Sequence, residues 1–236
     1  MKMSEKEICA EKEILWGRSI GKKFYPDGRV RRYPGNTVVA DVTAESPAFA
    51  VMANLRKLLV ESPLADYYIP MPEDSYHMTV IRGLNDQVRT DAYWPSCLPK
   101  DLPMEKVDDH VSAAIARAGI PDGVQMILKN IKFGSVCVLA ELAPANEEAK
   151  KILLDFRDRA ADEIRHRLPK HENYVFHITL AYTRIQPSTE KELREKEILI
   201  SKMNDLIGDG VEFTTSKPYM AYFDDMLYFS PTRLPR

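Results

Sequence analysis

Two short stretches of this 236-residue chain carry the same reactive side chains in the same order: His77-Met78-Thr79-Val80 and His177-Ile178-Thr179-Leu180, in a sequence with five histidines. An imidazole titrates near pH 6.5, so two of them can hold opposite protonation states at neutral pH and act together as general base and general acid. A hydroxyl two residues further on can donate to an oxygen on which negative charge builds. Strand side chains alternate faces, so His77 and Thr79 share one face while Met78 and Val80 share the other, and the second stretch repeats the arrangement. A single His-x-Thr on a half-buried strand reads most simply as a hydrogen-bonded structural histidine. It is the repetition, inside two apolar β-rich runs, that points to chemistry. Two such strands brought together line a cleft with two imidazoles and two hydroxyls.

The paired motifs resemble the 2H phosphoesterase superfamily, which is named for two His-x-Thr/Ser-x motifs with x mostly apolar. Both motifs match in full, at the spacing of about 100 residues usual there, and the order of elements from about 36 to 229 fits. The stretch KFYPDGRVRRYPGNTVVADV with SYHMTVIRGL resembles a poorly characterised branch that has no agreed substrate. The resemblance implies an α+β fold: two pseudo-symmetric lobes, each with an antiparallel sheet and helices, around a central cleft, as one bilobal domain over 1–236. It implies His77 and His177 as the catalytic pair and Thr79 and Thr179 as ligands of the substrate phosphate, with no metal and no cofactor. The reaction implied is hydrolysis of a small cyclic phosphodiester, such as a nucleoside 2′,3′-cyclic phosphate, an ADP-ribose cyclic phosphate or an RNA end, or a related RNA 2′,5′-ligase activity. Opening such an ester in line needs a base for water and an acid for the departing ribose oxygen, which two imidazoles supply. The alternative is a non-catalytic nucleotide- or RNA-binding module with the same cleft.

A metal centre is the main chemical rival. Glu73 and Asp74 precede His77 and Glu172 precedes His177, yet the chain has no HxH, HxxxH or HExxH spacing. Tyr76, Arg82, Tyr182 and Arg184 flank the motifs, but strict alternation puts them on the face away from the histidines unless a bulge re-aims them. The aromatic run with Tyr219, Tyr222 and Phe223 could stack on a base and reads more simply as core. His110, His166 and His171 fall in polar settings and are expected to face solvent.

The elements that must position the motifs follow from period and punctuation. A strand is expected over 36–42 and a helix from Pro47 capped by Ser46. The first motif strand runs over 76–83, and a helix over 104–118 follows it. A hairpin near Gly134 comes next, then a helix capped by Asn146 and ended by Pro169, and the second motif strand over 174–185. Thr189 and Glu192 form a capping box for a further helix, and two C-terminal strands complete the chain. The pattern strand, helix, His-bearing strand is thus met twice. With a net charge of −2 and no basic stripe beyond the scattered Lys22, Lys23, Arg29, Arg31 and Arg32, the expected partner is a small nucleotide-like phosphoester or an RNA end rather than duplex nucleic acid. Cys9, Cys97 and Cys137 show no CxxC pair, and the N-terminal MKMSEKEICAEKEILWGR has no apolar stretch of signal-peptide length. No membrane contact, a cytoplasmic location and a monomer are therefore expected.

Overall fold

The computed structural model describes residues 14–233, so Cys9 and most of the N-terminal segment discussed above lie outside the described residues. The fold is α+β, with four α-helices and an eight-stranded antiparallel sheet. The strands are β1 (Gly35–Asp41), β2 (Tyr68–Pro70), β3 (His77–Asn85), β4 (Gln125–Phe133), β5 (Cys137–Pro144), β6 (His177–Thr183), β7 (Val211–Thr214) and β8 (Tyr219–Phe223). Along the sheet they run β7-β4-β5-β6-β3-β1-β8, and β2 pairs with β6 off this path. The two motif strands are therefore central neighbours, joined at Met78 opposite Ile178. Both of these residues are fully buried.

Local chemistry sets the helices. Helix α1 (Pro47–Val60) begins where Ser46 Oγ accepts from Ala48 N–H at 3.2 Å, with proline at the first turn, where a missing N–H costs nothing. Helix α2 (Met104–Ala118) ends at Gly119, whose φ of 74° lies in the region a side chain would disfavour. Helix α3 (Glu147–Ile164) is capped by Asn146, whose Oδ1 accepts from Ala149 N–H at 2.8 Å. It stops five residues before Pro169 because Arg165 turns left-handed (φ 58°) and His166 N–H closes the last turn on the Ala161 carbonyl. Helix α4 (Glu190–Ile207) has the full capping box of Thr189 and Glu192.

The strand-helix-strand unit β1-α1-β3 recurs as β5-α3-β6. Each crossing helix reaches under the opposite half as well as its own: α1 lies against β2, β6, β7 and α4, while α3 lies against β3, β5 and α2. The apolar residues of the motif strands, Met78, Val80, Ile178 and Leu180, are wholly buried beneath the sheet, and their histidines and threonines are only partly covered on the other face. Burial of one face and exposure of the other is what fixes the register, since a slip of one residue would invert every side chain. Among the described residues no helix is long and apolar enough to cross a membrane.

Candidate active site

The antiparallel register that sets Met78 opposite Ile178 also sets His77 across from Thr179 and Thr79 across from His177. All four predicted residues thus meet on one face at the junction of the two halves. Each imidazole is anchored identically. His77 Nδ1 is 2.7 Å from the Ser75 carbonyl and His177 Nδ1 is 2.8 Å from the Val175 carbonyl, in each case two residues back. A carbonyl only accepts, so Nδ1 carries the proton and donates it, and Nε2 of each ring is left as the working nitrogen.

Both imidazoles are held below their ordinary range. Burial pushes His77 down to about 4, opposed by the Ser75 carbonyl and reinforced by the charge of His177. Burial also lowers His177, opposed by the Val175 carbonyl, and the nearby charges of Arg82 and Lys23 lower it further. The ring of Phe229 lies 4.4 Å from that of His77, and Tyr174 lies 6.3 Å from His177.

Arg82 and Lys23 are the site residues that alternation and local sequence did not reveal. In β3 the pairing with β1 shifts so that Val80 is skipped, and in β6 the pairing with β5 shifts so that Leu180 is skipped. These matching bulges bury Val80 with Ile81 and Leu180 with Ala181, and return Arg82 and Tyr182 to the face of the histidines. The expectation that strict alternation turns those two side chains away is corrected by the bulges. Tyr76, packed edge-on against Phe49, and Arg184, bonded to the Pro26 and Asp66 carbonyls, do lie away from the histidines. Lys23 arrives from the loop before β1. Its Nζ donates to Tyr182 Oη at 3.3 Å, and burial, with Arg82 adding to it and Cys137 opposing, brings its amine down to about 8. Tyr174 also belongs here, its phenol within hydrogen-bonding reach of Thr79.

Other candidates separate from the site. Tyr219 donates to Asp41 Oδ1 at 3.0 Å, and Tyr222 and Phe223 are buried, so the aromatic strand is core. His171 is bonded to Asp158 at 2.9 Å with a side chain only 10% exposed, and His166 has a buried Nε2, so neither faces solvent as composition suggested. Among the described residues the group of three potential metal ligands is Asp158, His171 and Glu172. Arg167 forms ion pairs with both of its carboxylates, and neither motif histidine takes part.

A family model described as 2H-phosphodiest, a domain of unknown function (DUF1868), matches residues 23–136, from Lys23 through the first motif and Arg82. The match includes the first His-x-Thr strand, and the second lies beyond it. Over residues 23–136 the chain is similar to the 2H phosphodiesterase family. Among solved structures, the chain is similar to a conserved protein of unknown function, ATU0111, from Agrobacterium tumefaciens str. C58, at 26% identity over 92% of each chain with a TM-score of 0.80. More distant matches are E. coli LigT complexed with NADP+ (13% identity, 85% of this chain and 96% of that one, TM-score 0.47) and TT0787 of Thermus thermophilus (13% identity, 79% and 87%, TM-score 0.46). No curated protein matches the chain significantly. The family match supports phosphoesterase activity in general.

Proposed function

We propose that this protein is a metal-independent phosphoesterase that hydrolyses a small cyclic phosphodiester with His77 and His177 as its acid-base pair. One observation carries the reading: two imidazoles related by the internal repeat, each fixed through Nδ1 to a carbonyl and each sharing its strand face with the threonine two residues on. One Nε2 takes a proton from the attacking water. The other, protonated once the anionic ester is bound, hands its proton to the leaving ribose oxygen, so the two exchange roles over the catalytic cycle. Thr79 and Thr179 donate to the non-bridging oxygens, and the charges of Lys23 and Arg82 favour the developing anion. The same two cations beside His177 disfavour a divalent ion there. The substrate class is a nucleoside 2′,3′-cyclic phosphate, an ADP-ribose cyclic phosphate or an RNA end of that type.

The test is turnover of a panel of these esters in the presence of EDTA. Hydrolysis is expected to persist, and abolition by chelator with rescue by zinc or manganese would overturn the metal-free mechanism. His77→Ala and His177→Ala should each lower the rate by about 10²–10⁴, with the double variant far less impaired than the product of the two. Tight nucleotide binding without any turnover, weakened in step with each histidine, would mark a binding module instead.

A further inference from the structure

The internal repeat is exact enough to show where the two halves differ, and the difference is a cationic cavity beside the cleft. Before β3, the chain runs along the edge of β6: β2 pairs with residues Ala181–Thr183, and Met71 N–H donates to the Leu180 carbonyl at 2.9 Å. Before β6, the equivalent segment runs along the edge of β3, but no strand forms there. The Val80 carbonyl, counterpart of Leu180, instead accepts from Nη1 of Arg157 on α3 at 2.5 Å. Where one half holds a strand, the other leaves a cavity lined by Arg82, Arg157, His166, Lys170, His171 and Tyr174, among others, with no carboxylate in its wall.

Arg157 is 4% exposed. Its Nη1 and Nη2 serve the Val80 and His171 carbonyls and its guanidinium lies 4.2 Å over the Tyr174 ring, while Nε has no partner. His166 in the same wall also buries its Nε2 without a geometric hydrogen bond, though its imidazole lies within reach of the Ala92 backbone. Among the described residues neither Arg82, Arg157 nor Lys170 makes an ion pair with a carboxylate, unlike the exposed Arg167 nearby. Asp158 and Glu172 offset part of the Arg157 charge from outside the cavity wall, but its buried Nε stays without a partner, a costly state that an acceptor able to reach it relieves. The cavity has about 30 Å³ of room, enough for a few oxygen-sized atoms and too little for a nucleobase. Arg82 and Tyr174 belong to both the cavity and the histidine cleft, so one molecule can occupy the two together.

We propose that this cavity is a second anion subsite and that the substrate carries, besides the ester held between His77 and His177, a further phosphate gripped by Arg157, Arg82 and Lys170. The proposal rests on the phosphoesterase reading for the first phosphate and extends it to a doubly phosphorylated small molecule.

The probes are adenosine 2′-monophosphate and the 2′,5′- and 3′,5′-bisphosphates, titrated calorimetrically into the full chain. At least one bisphosphate should bind about tenfold more tightly than the monophosphate. Lys170→Asn, which removes the charge and suits the left-handed backbone at that position (φ 64°), should reduce this preference several-fold, as should His166→Gln, with monophosphate affinity changed less than twofold. Arg157→Met tests the buried cation directly, but it also removes two carbonyl anchors, so the loop variants decide if it fails to fold. Equal affinities for mono- and bisphosphates, or a bisphosphate preference untouched by both loop variants, would overturn the subsite. Turnover of a cyclic ester is a separate readout: its absence would sink the phosphoesterase reading while the bisphosphate preference still judged the cavity.

Discussion

An imidazole pinned through Nδ1 and depressed by burial is a neutral base in the free protein, and an anion placed beside it changes that. His77 titrates at about 4 and His177 below its ordinary range, so the form with one proton shared between them is most populated on the acid side of 6.5 before substrate binds. A phosphate monoanion between the rings favours the charged imidazole and raises both values. The pH profile of kcat/KM, which reports the free protein, should therefore be bell-shaped with its optimum below neutrality. The profile of kcat, which reports the complex, should be centred at higher pH. Coincident profiles would show that the bound phosphate does not face the histidines. Thr79→Val and Thr179→Val keep shape and remove a donor; each should lower kcat by roughly 10–10³ and leave both limbs in place. An unchanged kcat would assign the hydroxyl to strand packing. These four residues were legible in the sequence because a strand's alternation is local. Lys23 and Phe229 were not, since each reaches a histidine across a long stretch of chain, and Tyr174, though only three residues before His177, joins the site through the distant Thr79.

The strands hold the device that completes the site. Helix starts were readable from Ser46, Asn146 and the Thr189–Glu192 box because a cap is made by neighbours in sequence. The short β2 was not, being three residues ending in proline, and neither were the two bulges, which depend on the partner strand. Yet the bulges at Val80–Ile81 and Leu180–Ala181 decide that Arg82 and Tyr182 face the cleft. Arg82 should then have two separable effects. Its charge lowers the His177 imidazole, so Arg82→Gln should raise that value, moving the corresponding limb of the kcat/KM profile to higher pH. It should also weaken transition-state stabilisation, with kcat/KM falling by about 10–10². Lys23→Met should shift the limb in the same direction, because removing a cation always favours protonation of its neighbour. A loss of rate with no movement of the pH limb would place Arg82 on the outer face, as unbroken alternation would have it.

At the scale of the whole molecule, the two halves are interlocked rather than merely adjacent. One sheet runs through both, joined at Met78 and Ile178, and each crossing helix reaches under the other half as well as its own: α1 against β6, β7 and α4 besides β2, and α3 against β3 and α2 besides β5. A helix taken from its own half would leave the apolar underside of the opposite strands bare. Each half therefore depends on the other for burial of Val80, Met78, Ile178 and Leu180, all fully covered in the intact chain. Fixing the histidine pair and folding the chain are then the same event, which is why one domain and not two lobes is the unit proposed here. Urea unfolding should be a single transition, coincident when followed by Trp94 fluorescence in Trp16→Phe protein and by far-ultraviolet circular dichroism. Ile178→Ala at the seam should cost about 2–5 kcal/mol, shifting the midpoint of both probes together. Met78→Ala should cost less in its presence than alone, since the two side chains are opposed across one ladder position. Two resolved transitions, or a seam substitution that moved only one probe, would show that the halves fold independently and that the cleft is assembled by docking.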